Sequence, residues 1–267
     1  DQYKYMSTNS GTLNKWSVVS TPKGIYYYDL LNKSFMLFSG QIGNLSDIKG
    51  LHSYFINNTE LEDLKIDNPL IKQGISSGYD QINNDIFMTF HRNGNPFTIS
   101  YNELRNQFIS FYDYLPSMYI SKGQYFITTN PDLKSIYRQY EGLYNNFYGV
   151  NYPSYIILNV NPEADLDTVF DNIMYKSEVY LNDVDQPDKT LTKVRLYNEY
   201  QDSGLIPLIV GRNSNLRRKF RDWNAILPRN QGSRERIRNP WVKLLLQFDN
   251  NSNYKLILHD ISISYSV

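Results

Sequence analysis

The chain has 267 residues, enough for one large or two ordinary domains with real cores. Its 27 Lys and Arg balance 27 Asp and Glu, so no overall charge draws it to nucleic acid or an anionic membrane. It has no cysteine, which excludes disulfide frameworks, thiol catalysis and thiolate metal sites, and no apolar run approaches the roughly 20 residues of a membrane span.

The opening DQYKYMSTNS has neither an initiator Met nor the apolar core of a signal peptide, which suggests a chain cut from something longer or expressed as a fragment. Three strand-like runs follow, Trp16–Ser20, Ile25–Tyr28 and Ser34–Ser39, with Pro22 and Gly24 breaking the first from the second. Ser46 reads as an N-cap. Ile48, Leu51, His52, Phe55 and Ile56 then recur at helical spacing, so one short amphipathic helix is expected over 47–57. Residues 59–73 carry Glu60, Glu62, Asp63, Lys65 and Asp67 and read as an exposed connection.

The stretch PFTISYNELRNQFISFY, residues 96–112, is two apolar runs around the polar turn Asn102–Asn106, a hairpin signal. Similar units start at Gly24 (GIYYYDLLNKSFMLF) and Gly74 (GISSGYDQINNDIFMTF). Each has a Tyr, then Asp or Asn, a short turn, and an apolar strand ending in Phe or Tyr. Residues 74–112 hold four runs separated by Asp80–Asn84, Arg92–Pro96 and Asn102–Asn106, the size of one propeller blade. Met118–Ile120, Tyr125–Thr129, Ser135–Tyr140 (after the turn Asn130–Pro131–Asp132) and Tyr155–Val160 continue the series. The expectation for 1–160 is therefore β-propeller-like blades. They are too few to close a ring, so they would be completed by another segment or chain.

From about Asn161 the texture changes. Residues 163–188 hold eight acidic residues against one Lys and read as a solvated loop. Thr190–Tyr200 and Trp241–Phe248 alternate with period two: Thr192, Val194 and Leu196 share one face, as do Val242, Leu244, Leu246 and Phe248. Tyr254–Val267 is a final strand, bent near His259–Asp260. Residues 161–267 are expected to be an antiparallel β-sandwich, and the whole chain is all-β with one short helix.

Catalytic chemistry finds little support. His52, His91 and His259 lie far apart, none at metal-ligand spacing. Asp165, Asp167, Asp183, Asp185 and Asp188 lack the calcium-loop pattern. No Gly-rich phosphate loop occurs, and Asn-x-Ser/Thr at Asn32, Asn44, Asn57 and Asn250 is expected by chance in an Asn-rich chain. No catalytic residue, metal or cofactor is assigned. A glycosidase would need a carboxylate pair that sequence cannot reveal. The clearest charge feature is 212–238, with nine Lys/Arg (among them Arg212) against two acids. Arg217, Arg218, Lys219, Arg221, Arg234 and Arg236 are the interaction candidates, open to phosphate, to an acidic partner or to the acidic stretch of the same domain. They could also be charges that protect a sheet edge. An alternative is carbohydrate binding, with Trp16, Trp223 and Trp241 as platform candidates.

Several segments in order carry a resemblance: GYDQINNDIFMTF (78–90), TISYNELRNQFISFY (98–112), FDNI (170–173), RLYNEYQDSG (195–204), KFRDWNAILPR (219–229), RIRNPWV (236–242) and LHDISISY (258–265). From about residue 24 to the end, the chain resembles the C-terminal part of large virion structural proteins of crAss-like phages, from the tail and its distal barrel, or muzzle. The resemblance implies a non-enzymatic part of a phage virion tail, built into a ring with copies of itself and other virion tail proteins. It also implies an N-terminal fragment of the same gene product as a partner. Neither a membrane nor nucleic acid is expected as a partner.

Overall fold

In this computed structural model, the structure describes residues 7–130, 132–211 and 214–267, in two compact units, Asp1–Glu141 and Gly142–Val267. Asp1, Pro131 and Arg212 lie outside the described residues.

The first unit is built from antiparallel meanders. β1 (Val19–Thr21), β2 (Gly24–Asp29), β3 (Ser34–Phe38) and β4 (Ile42–Asn44) form one four-stranded sheet in chain order. After three short helices come β5 (Gly74–Asp80), β6 (Asp85–His91), β7 (Phe97–Asn102) and β8 (Gln107–Tyr112), a second sheet of the same order. β9 (Met118–Lys122), β10 (Tyr125–Asn130) and β11 (Ser135–Arg138) form a three-stranded third. Trp16, expected in a strand, instead sits in a 3-10 turn, Lys15–Ser17. The blade-sized sheets are present, but three sheets do not make a propeller, which needs at least four blades.

The repeated hairpin has a common physical cause. Asp29 pairs with Ser34, Asp80 with Asp85, Asn102 with Gln107 and Asn130 with Ser135, so each loop is four residues long. The first residue's side chain accepts a loop backbone N–H: Asn32 N to Asp29 at 3.0 Å, Ile82 N to Asp80 at 2.9 Å, Arg105 N to Asn102 at 2.8 Å and Asp132 N to Asn130 at 3.0 Å. The last loop residue takes a left-handed conformation, with φ 48° at Lys33, 59° at Asn84, 54° at Asn106 and 50° at Lys134. Asx side chains that close turns on their own backbone favour this geometry. The structure thus adds a fourth hairpin of the kind read at three places in the sequence.

The expected helix over 47–57 is two helices, α1 (Leu45–Ile48) and α2 (His52–Asn58). Gly50, at φ 75°, interrupts the helical run. The cap is Asn44, whose side chain accepts from Asp47 N at 3.3 Å, while Ser46 Oγ is buried and accepts from Phe35 N at 2.6 Å. The connection 59–73 contains a third helix, α3 (Leu61–Leu64). The core between the first two sheets is aromatic: Tyr28 meets Phe90 edge-on at 4.8 Å, and Phe90 stacks on Phe97 at 4.6 Å. Buried Tyr28 finds a polar partner in Thr59, 2.7 Å away.

In the second unit, β12 (Asn146–Phe147) and β13 (Val150–Asn151) form a small hairpin ahead of β14 (Ser154–Val160). Then come β15 (Thr168–Leu181), β16 (Val184–Asp185), β17 (Lys193–Tyr197), β18 (Ile206–Pro207), β19 (Leu216–Lys219), β20 (Asp222–Ile226), β21 (Arg238–Asn239), β22 (Val242–Phe248) and β23 (Lys255–Ser266). One sheet runs β14-β22-β17-β18. The other is centred on β15, with β23 on one side and β20 then β19 on the other. Both contribute to one core: Phe170, Ile173, Tyr175 and Val179 of β15 join Val194 and Leu196 of β17 and Val242, Leu244 and Leu246 of β22. The alternation read in β17 and β22 places those residues inside.

Two expectations are corrected. The acidic stretch read as a loop contains β15, the longest strand of the chain. The unit division falls between Glu141 and Gly142 rather than near 160, because β14 pairs with β22 from Ser154↔Phe248 to Val160↔Val242. The bend expected near His259 is a register shift: Lys176 pairs with Asp260 and Ser177 with Leu258, leaving His259 as the extra residue.

Candidate interaction surface

The basic stretch folds as a hairpin followed by a loop. Arg217, Arg218 and Lys219 lie on the edge strand β19, and Arg221 lies in its turn to β20; all four are exposed. Pairing of Lys219 with Asp222 makes a two-residue turn, and its first residue, Phe220, has φ 58° and is 87% exposed. Arg218 is held from both sides, by a hydrogen bond to the Pro187 carbonyl and by its guanidinium 5.4 Å from the Trp223 ring centroid. Arg234 and Arg236 lie apart from this hairpin, on the exposed loop ahead of β21. Arg236 is committed locally, its Nη1 2.6 Å from Asp171 Oδ1, and Arg238 lies 3.8 Å from Asp167. The structure therefore gathers four of the six basic candidates on one hairpin, and the acidic and basic stretches meet at two ion pairs. Such exposed pairs are each worth roughly 0–1 kcal/mol and orient more than they stabilise.

Trp16 lies in the first unit, and Trp223 and Trp241 lie in the second. Trp223 is 2% exposed inside the second core, opposite Tyr175 in the sheet register, so its ring cannot stack on a sugar. Trp241 is half-buried just ahead of β22. Trp16 is exposed in the first unit, and its carbonyl accepts from Ser77 Oγ at 3.1 Å. Trp223 thus takes the core role that such Trp residues more often have, although Asp222–Ile226 alternates ambiguously in sequence: Ala225 is inside while the more apolar Ile226 is outside.

Several carboxylates and histidines are held by neighbouring groups. Asp80 accepts from Ile82 N, from Asn83 Nδ2 at 2.8 Å and from the Tyr140 hydroxyl at 2.7 Å. Burial raises the Tyr140 phenol, and the Asp80 carboxylate adds to this. Burial also raises the Asp85 carboxyl, against the lowering hydrogen bond from Asn102. His91 is buried, 3.0 Å from the Pro116 carbonyl, and desolvation lowers its pKa to about 4. His259 lies 3.2 Å from Glu178, which also accepts from Tyr180. Among the described residues no group of three or more His, Asp or Glu is placed to hold a metal ion.

The larger exposed features are apolar. Each of the four hairpin loops closed by an Asp or Asn side chain in the first unit carries an exposed aliphatic residue, Leu31, Ile82, Leu104 or Leu133. The repeat foreshadowed these residues, since each follows the turn's Asp or Asn by two or three positions. In the second unit the edge strand β14 exposes Tyr155, Ile156 and Ile157.

Residues 1–132 match the family described as Crassvirus muzzle protein, and residues 142–230 match the Crassvirus muzzle protein C-terminal domain. The two matches lie one in each compact unit. The chain is also similar to a protein called Muzzle protein from Bacteroides phage crAss001, 31% identical over 267 residues, a match covering 98% of this chain and 19% of that relative. The chain thus spans about a fifth of the relative's length. With matches in both units and a relative aligned across almost all of the chain, this protein belongs to the Crassvirus muzzle protein family.

Proposed function

We propose that the chain is a non-enzymatic structural part of a phage virion, in the tail muzzle, and that it acts by protein–protein assembly. The observation that carries this reading is the apolar edge strand β14, and an exposed aliphatic residue on each of four hairpin tips accompanies it. A contiguous apolar run on an edge strand, such as Tyr155–Ile157, marks a surface suited to being covered in an assembly. The family relation supplies the context, and the basic hairpin Arg217–Arg221 supplies charge for orientation.

In this reading the partners are other virion tail proteins and copies of the chain arranged in a ring. The N-terminal part of the same gene product completes the blade-like meanders of the first unit. The test is size-exclusion chromatography with light scattering, on the chain co-expressed with the remainder of a full-length muzzle protein. A stable complex is expected. A chain that stays monomeric beside every candidate partner would overturn the reading.

A further inference from the structure

The two larger sheets of the second unit have four long-sheet edges, β14, β18, β19 and β23, and β18 and β19 carry devices that discourage pairing with another chain. β19 presents Arg217, Arg218 and Lys219. β18 is two residues long and ends in Pro207. β23 has a bulge at His259 beside Asp260, between the uncharged stretches Leu256–Leu258 and Ile261–Ser266. Short length, cations, proline and bulges are how natural sheets protect their edges. β14 has none of these. It reads SYIILNV, without charge or proline, and pairs with β22 with no register shift; Ile156 is 38% exposed and Ile157 44%.

β14 and β23 share one side of the sandwich. The opposite side is closed where the β18 and β19 segments meet: Leu216 N donates to Ile209 O at 3.2 Å, and Asn215 Nδ2 to Pro207 O at 2.9 Å. On the β14–β23 side the two strands are tied near their ends. Tyr144 N, ahead of β14, donates to Asn253 Oδ1, ahead of β23, at 2.7 Å. Tyr265 OH, at the end of β23, donates to Glu163 Oε1, just past β14, at 3.3 Å. Start lies by start and end by end, so the strands run in the same direction. Between the ties no ladder joins them among the described residues. Leu158 and Val160 on β14, and Leu256, Leu258, Ile261 and Ile263 on β23, pack against the core while part of each stays accessible. Packed sheets stand about 10 Å apart and paired strands about 4.8 Å, so one added strand is the size that bridges two facing sheet edges.

We propose that the side between β14 and β23 is an acceptor slot for one β-strand, antiparallel to both, supplied by a muzzle polypeptide segment outside these 267 residues. This rests on the assembly reading above. A second copy of this chain is a poor donor for a strand that pairs on both sides, because every strand among the described residues already has a neighbour on at least one side. The family supplies the length for a donor, since the crAss001 relative is matched over only 19% of its sequence. The donor's chemistry follows from the acceptor. An uncharged β14 offers nothing to pair with a charged strand, and alternate apolar side chains would finish covering the half-exposed core residues.

The test is hydrogen exchange, read by mass spectrometry, on the 267-residue chain alone and within assembled muzzle particles, with cross-linking to identify the neighbour. Amides of 154–160 and 255–263 are expected to exchange roughly tenfold or more slowly in the assembly. Cross-links from β14 are expected to reach sequence outside this chain. Ile157→Lys, which puts the missing charge on the exposed edge, is expected to reduce incorporation while leaving the free chain's unfolding midpoint in place. Incorporation without added protection at 154–160 would overturn the slot and leave the assembly reading standing. Cross-links confined to a second copy of these residues would overturn the donor. Failure to incorporate at all would overturn both. The unaltered chain provides the exchange result whatever the variant does.

Discussion

Replacing Trp223 tests whether this ring is core or contact surface. The side chain is almost wholly enclosed between Tyr175 on β15 and Arg218 on β19, in the cluster that joins both sheets of the second unit. Trp223→Ala removes the largest fully buried side chain among the described residues and leaves a cavity between the flanking strands. Trp-to-Ala changes at such sites cost about 3–5 kcal/mol. With a urea m-value of about 2 kcal/mol/M for a unit of this size, about 4 kcal/mol shifts the midpoint down by about 2 M. The indole N–H is buried without a hydrogen-bond partner, so Trp223→Phe gives up no polar contact and should cost far less, about 1–2 kcal/mol. Pulse proteolysis across a urea series, scored by loss of the C-terminal fragment, separates the second unit from the first. A midpoint shift below about 0.5 M for Trp223→Ala would refute the packing argument.

Other perturbations follow from the same structure. His91 is disfavoured as a cation in the fold, with a pKa of about 4 against an ordinary 6.5, so its contribution is complete above pH 6.5 and is lost as pH falls toward 4. At about 1.4 kcal/mol for each pH step the loss approaches about 3 kcal/mol, and His91→Gln should flatten this part of the stability–pH curve. Asp29 is buried and accepts from Gly11 N, Asn32 N and Asn32 Nδ2, so Asp29→Ala should cost about 2 kcal/mol or more, seen as early exchange of 24–38. A Cβ on Gly78 would lie 2.2 Å from Tyr119 Cβ, so Gly78→Ala should separate β9 from β5 and cost about 1–3 kcal/mol in a melting experiment on the first unit.

Much of the first unit is legible in the chain because its contacts are local. Each hairpin pairs residues a few positions apart, and Asp29, Asp80, Asn102 and Asn130 close their own turns. The same holds for single alternating strands such as Val242–Phe248. β15 escaped the pattern because one bulge breaks its period. Phe170 and Ile173 both face inward, three positions apart, with Asp171 as the extra residue, and its acids and Lys176 point outward or half outward. The basic candidates could be read as a cluster but not as a hairpin with Phe220 at its tip, since that depends on Lys219 pairing with Asp222.

Composition, turn chemistry and alternation by themselves determined an all-β chain of antiparallel hairpins that carries its charge in separate acidic and basic runs. Only the tertiary structure decided that β14 joins β22 across more than eighty residues of chain and that Trp223 is interior. The physical reason is that a turn is set by the few residues that make it. A long-range strand pair is chosen by which apolar faces can share one core once loop closure has been offset.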